Sequence, residues 1–166
     1  MRWSPKPLLP DDARDTLPLQ HRERVLAAAQ LADGSWAAAT PTALLMHGRR
    51  LEWRFTTYAA WDDESTTLRV DELDEADGSP RLHELVLDEP GRLPEVVYER
   101  VTASIVASRH VRVQGRAGVR VVARRMPGEQ ELLWQVVLDR GLDPADPEVR
   151  AVGDAAVAEL RRELGG

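Results

Sequence analysis

The chain contains no cysteine. A disulfide, a thiolate metal site and a cysteine nucleophile are therefore excluded. A cysteine-free chain fits the cytoplasm, which is the expected location. Lysine is nearly absent too: Lys6 stands alone beside 21 arginines among the 22 basic residues. A high-G+C coding bias accounts for that ratio, so the arginine count is not by itself functional evidence. The strongly apolar runs reach only about four to six residues, far short of the ~20 that span a bilayer. The opening "MRWSPKPLLPDDARDTLP" has no apolar core of signal-peptide length. Aromatic residues make up 5% of the chain, one Phe, two Tyr and five Trp, so each tryptophan is read as a core or interface anchor.

What is present suffices for a core. The 166 residues are 43% hydrophobic and 30% charged, enough for one domain or one domain with an appended subdomain. The net charge of −6 argues against wholesale coating of nucleic acid.

The pattern along the chain predicts an α+β fold. Pro5, Pro7, Pro10 and Pro18 deprive residues 1–20 of ladder donors, so this stretch reads as an extended arm with Trp3 and Leu8-Leu9 as docking points. Val25, Ala27, Ala29 and Leu31 share one parity, and Asp33-Gly34 is a strong hairpin signal before Trp36, Ala38 and Thr40. Ala43 to His47 follows as a third strand, then Leu51, Trp53 and Phe55 alternate as a fourth. A parity change near Thr56-Thr57 predicts a bulge or bend. Leu68 and Val70 make the next strand, "DELDEADGSP" an acidic loop, and Leu85 and Leu87 a further strand. Leu93, Val97, Val101 and Ile105 recur every four residues and predict a helix over 93–108. Val111–Val113 and Val119–Val121 read as strands. "LLWQVVLD", apolar on both faces, predicts a central strand. Asp146, Pro147 and Glu148 supply an N-cap, an N1 proline and a first-turn acid for a last helix over 147–164.

The segments "RVLAAAQLADGSWAAATPTAL", "LEWRF", "AAWDDESTTLRV" and "LDEPGRLPEVVYERVTASIV" together resemble bacterial pleckstrin-homology-like (PH-like) domains, as in small proteins of high-G+C bacteria. The resemblance covers about residues 23 to 108 and rests on element order. It implies a bent antiparallel sheet or partial barrel capped by a helix. The extra β-hairpin and the C-terminal helix lie beyond it. The implied organisation is an arm over 1–20, a PH-like sheet and helix over 21–110, and a hairpin with a helix over 111–166 packed on the same domain. Headgroup-binding members use basic residues in the first hairpin, whereas here it is "LADGSW", with Asp33 and no Lys or Arg.

No catalytic motif survives inspection. His83-Glu84 begins a zinc motif, but Leu87 stands where the second histidine must be. A calcium loop aligned on Gly78 puts Leu73 at its first ligand position. Ser104, Ser108 and His110 lack a nucleophile elbow, and neither a Walker A loop nor a GxGxxG fingerprint occurs. No cofactor is expected. The charge distribution is more informative. Asp62, Asp63, Glu64, Asp71, Glu72, Asp74, Glu75 and Asp77 crowd one stretch, against Arg69 alone. From Arg109 to Arg125 there are six arginines and no acid. The expected function is a non-catalytic binding or scaffold module. Its expected site is Arg112, Arg116, Arg120, Arg124 and Arg125, and its expected partner an acidic protein segment. The alternatives are nucleic acid at the same face, or a small enzyme assembled from His83, His110 or Asp62-Asp63-Glu64.

Overall fold

The computed structural model describes residues 8–165, so the first seven residues, with Trp3, Pro5 and Pro7, lie outside the described residues. The chain is α+β. Among the described residues ten strands form three antiparallel sheets, of order β1-β2-β3-β4, β5-β6-β7 and β10-β9-β8, and no barrel closes. Packing divides the chain into two compact units. One holds residues 8–70 with His83–Val101, the other Asp71–Leu82 with 102–165.

The first unit follows the sequence closely at its start. β1 (Ala27–Gln30) and β2 (Trp36–Ala39) pair in the register Ala27↔Ala39 to Gln30↔Trp36, around a turn with Gly34 at φ +87°. That positive φ is the reason for glycine there. Val25, Ala27, Ala29 and Leu31 are buried while the residues between them are half-exposed, the alternation of a half-covered strand. β3 (Ala43–Met46) is buried throughout, and β4 (Arg49–Glu52) completes the sheet. The predicted strand through Phe55 stops early. Trp53–Phe55 is a 3-10 turn, and Trp53 Nε1 donates to Thr40 O at 2.9 Å. This turn produces the parity change, as a bend rather than a bulge, beside Thr56.

The stretch read as an extended arm carries one helical turn, α1 (Asp11–Arg14). Leu9, Ala13 and Leu17 pack with Val25, Ala38, Ala43 and Leu45, so Leu9 docks while Leu8 stays exposed. β5 (Thr56–Asp62), β6 (Thr67–Leu73) and β7 (Pro80–Val86) form the second sheet. Asp71 to Leu73 and Pro80 of the expected acidic loop are therefore strand. α2 (Leu93–Ala103) buries Leu93, Val96, Val97 and Val101.

α2 ends five residues before the expected Ser108. Ile105 begins β8 (Ile105–Gln114), where it lies opposite Arg124 in the β8–β9 ladder. Its four-residue spacing from Val101 was coincidence. Ile105 and Val106 are β-branched, and pairing with β9 (Ala117–Arg124) takes the chain into a strand. In the second unit β10 (Leu133–Leu138) is not the central strand; β9 is. β10 nevertheless buries residues on both faces, because α3 (Pro147–Glu163) covers one and the 71–82 hairpin tip helps to cover the other. The α3 cap forms as expected: the Asp146 side chain accepts from Glu148 N at 2.9 Å. Val149, Ala156 and Leu160 are buried against the sheet, and Leu164 is exposed.

Candidate functional site

The expected arginine site resolves into three environments. In the β8–β9 register, Arg112 lies opposite Gly118 and Arg120 opposite His110. Paired residues of an antiparallel ladder share a face, and so do residues two apart on one strand. His110, Arg112 and Arg120 therefore stand together on one face of the hairpin. Arg116 sits in the adjoining turn, where Gly115 has φ +59°. All three arginines are exposed, and among the described residues none is held in a salt bridge.

One carboxylate belongs to this end of the hairpin. Asp139 Oδ2 lies 2.7 Å from His110 Nε2 and accepts from Gly118 N at 2.9 Å. Partial burial pushes the Asp139 carboxyl up. The His110 and Gly118 hydrogen bonds, with the charges of His110 and Arg120, outweigh that and hold it below its ordinary value. Asp139 N also donates to Gly118 O at 3.0 Å. The carboxylate thus locks the hairpin to the end of β10 and leaves the arginines in excess.

Arg124 does not belong to the site. It is 0% exposed, donates from Nε to Gln135 Oε1 at 3.0 Å and from Nη1 to Ser104 Oγ at 2.9 Å. Burial lowers its pKa to about 10. Even parity with Arg112 and Arg120 gave no warning, because the cover comes from remote residues: Leu73 packs with Ile105, Val122 and Val137 on this face. Arg125 is exposed but nine residues from Arg116, about 25–30 Å along an extended strand. Arg109 points to the opposite face, where Glu163 and Glu159 of α3 hold it. The surface brought together is Arg112, Arg116 and Arg120 with His110.

The catalytic alternatives are scattered or spent. The Ser104 hydroxyl accepts from Arg124, and Ile105 to His110 alone spans about 17 Å of strand. Asp62 accepts from Glu64 N and Ser65 N, which makes the 62–64 cluster a turn rather than a convergent site. The Ser65 hydroxyl and amide, with Glu64 N and the Arg69 charge, hold its carboxyl below the ordinary value against desolvation. His83 lies half-buried in β7. Among the described residues no group of three or more His, Asp and Glu could hold a metal ion, and no helix is long and apolar enough to cross a membrane.

Sequence reasoning missed a cleft of about 470 Å³ in the first unit. Ala59, Trp61, Leu68, Pro90, Pro94 and Tyr98 form most of its wall, with Asp63 and Glu95 at polar positions. Trp61 Nε1 donates to Asp63 Oδ1 at 3.2 Å, and Glu95 faces Arg92 at 3.4 Å. Its volume falls in the range of small-ligand sites, about 300–1,000 Å³. Two segments some thirty residues apart build it, so no local pattern announced it; the exposed Tyr98 was the available signal. No protein-family model, curated protein or solved structure matches the chain.

Proposed function

We propose that the protein is a non-catalytic binding module that recognises an acidic protein segment through Arg112, Arg116 and Arg120. The observation that carries this reading is the difference in how the arginines of one hairpin are used. Arg109 is held by α3 carboxylates and Arg124 is buried with Ser104 and Gln135 among its acceptors, while these three stay exposed and outside any salt bridge among the described residues. Arginine suits such a partner because its planar donor fork pairs bidentately with a carboxylate. The two carboxylates of the first-unit cleft are engaged by Trp61 and Arg92, which favours binding over acid–base chemistry there. The resemblance to PH-like domains agrees with this role, since that fold hosts binding functions, but it is an analogy of fold alone.

The test is capture of immobilised acidic peptide by the wild type and by the triple variant Arg112→Ala, Arg116→Ala, Arg120→Ala. The wild type should be retained at low salt and released as salt rises, because exposed pairs are screened. The variant should fold and fail to bind. Undiminished capture by a folded variant would exclude the arginine surface. Retention on DNA or heparin but not on acidic peptide would assign the surface to nucleic acid.

A further inference from the structure

β8 is ten residues long and occupies the outer position of its sheet. Its inner side pairs with β9. Among the described residues no other strand pairs with it, and no backbone hydrogen bond from a turn or loop reaches residues 105–114. The opposite edge of this sheet is treated differently. On β10, Leu138 N donates to Gly78 O at 2.8 Å. The approach is so close that a Cβ on Gly78 would sit 2.6 Å from Val136 O. One edge is covered and the other open.

Exposed edges are usually blunted by proline, bulges or charge. β8 contains no proline, and its register irregularities lie at Ile105/Ala107 and Arg112/Gln114. Ala107 to Arg112 between them remains regular. Only positive charge guards this edge. Residues 100–128 contain no Asp or Glu at all, and Arg112, Arg116 and Arg120 crowd one end of the hairpin. A second copy fits poorly here. Two β8 strands laid side by side would bring the open-face arginines of each copy, Arg112 above all, close together with no carboxylate on either strand, and like charges across a strand pair destabilise it.

We infer that the outer edge of β8 takes an acidic segment as an added antiparallel or parallel strand. This rests on the reading of the arginine surface as an acid-binding one. Backbone N–H and C=O groups of Ala107 to Arg112 supply the ladder, and the alternation of an added strand supplies the specificity. Acidic side chains on its one face meet Arg112 and, across β8, Arg120. Apolar side chains on its other face lie beside the half-buried Val111 and Val113, which already pack with α3-facing residues. The partner is therefore a segment in which acidic and apolar residues alternate, not a merely acidic one.

The experiment uses the full chain and varies only the peptide, so folding of the protein is not at stake. The probe is a nine-residue peptide alternating Glu and Val. Its controls are the same peptide N-methylated at every second amide, in both parities, and an isomer of equal charge interrupted by proline. Binding is followed by titration and by amide hydrogen exchange. The alternating peptide should bind and slow exchange of amides within 107–112, while the proline isomer and one N-methylated parity should bind at least tenfold more weakly. Equal binding by all peptides, without protection of 107–112, would overturn strand addition and leave the charge reading standing. Failure of every acidic peptide to bind at low salt would overturn the charge reading and strand addition with it. Protection of 107–112 that grows with protein concentration and needs no peptide would assign the edge to a second copy instead.

Discussion

The two ends of β9 put arginines on the same face to opposite uses. Arg120 and Arg124 are four residues apart on one strand, so both project from one side of the sheet. At the Arg124 end that side is roofed by Leu73 over Ile105, Val122 and Val137, and the guanidinium is fully buried. At the Arg120 end the side is open, and His110, Arg112 and Arg120 face solvent. The lesson is that an arginine run is not a charged surface until the cover over each residue is known. A buried guanidinium is a structural donor, here with Ser104 and Gln135 among its acceptors, and is unavailable to a partner.

The largest expected effect tests that contrast directly. Arg124→Ala should cost about 3 kcal/mol or more, from the void left in the core and from the stranded Ser104 hydroxyl and Gln135 carbonyl. Arg120→Ala should change stability by no more than about 0.5 kcal/mol. Urea unfolding of the two variants decides the matter, and equal midpoints would mean the two ends are alike. The pH dependence has a definite sign. Burial lowers the Arg124 pKa from the ordinary guanidinium range to about 10. The unfolded chain therefore holds its proton over a higher range than the native one, and stability gains from this residue as pH rises from about 10. Below that the cost of the buried charge is present in full. Arg124→Met should remove this alkaline gain.

A smaller effect is expected at the open end itself. A Cβ on Gly118 would lie 2.1 Å from Val111 O and 2.8 Å from Val111 C, backbone atoms that cannot rotate away. Gly118→Ala should push β8 from β9 beside Arg112, costing about 1–3 kcal/mol, as overpacking does. It should also loosen the Asp139 lock, which depends on the Gly118 amide. Thermal melts measure the first consequence. Faster hydrogen exchange at 110–119 with unchanged exchange near Arg124 would localise it. A uniform loss of protection would mean that the hairpin end is not separable from the covered end.

How much of this was legible beforehand follows the range of the interactions involved. The Asp33-Gly34 hairpin, the burial alternation of Val25 to Leu31 and the Asp146-Pro147-Glu148 helix start are set by neighbours in sequence, and all appear as read. The end of α2 was not legible. Ile105 continues the helical spacing, and only its position opposite Arg124 on another strand makes it β. The position of β10 misled for a related reason. Apolar residues on both faces signal cover on both faces, which an edge strand gains here from α3 and from the 71–82 tip. Within the arginine run, parity correctly joined Arg112 with Arg120 but could not separate Arg124 from them. Its roof comes from Leu73, inside a stretch that read as acidic loop.

The smallest expected effect belongs to Arg125, and it sharpens the comparison most cheaply. Its side chain is exposed, as are those of Arg112, Arg116 and Arg120, but it sits at the covered end of β9, some 25–30 Å from the hairpin turn. Its backbone amide donates to Ser104 O at 2.8 Å, a bond that an alanine keeps. Arg125→Ala should therefore leave the melting temperature unchanged. It removes one positive charge, as Arg112→Ala does, so any general attraction of anions to the protein would fall equally in both variants. If acidic peptide is held by the open end, Arg112→Ala should weaken capture while Arg125→Ala does not. Equal weakening would mean that net charge alone drives the binding, because only a local surface distinguishes two arginines of the same exposure thirteen residues apart.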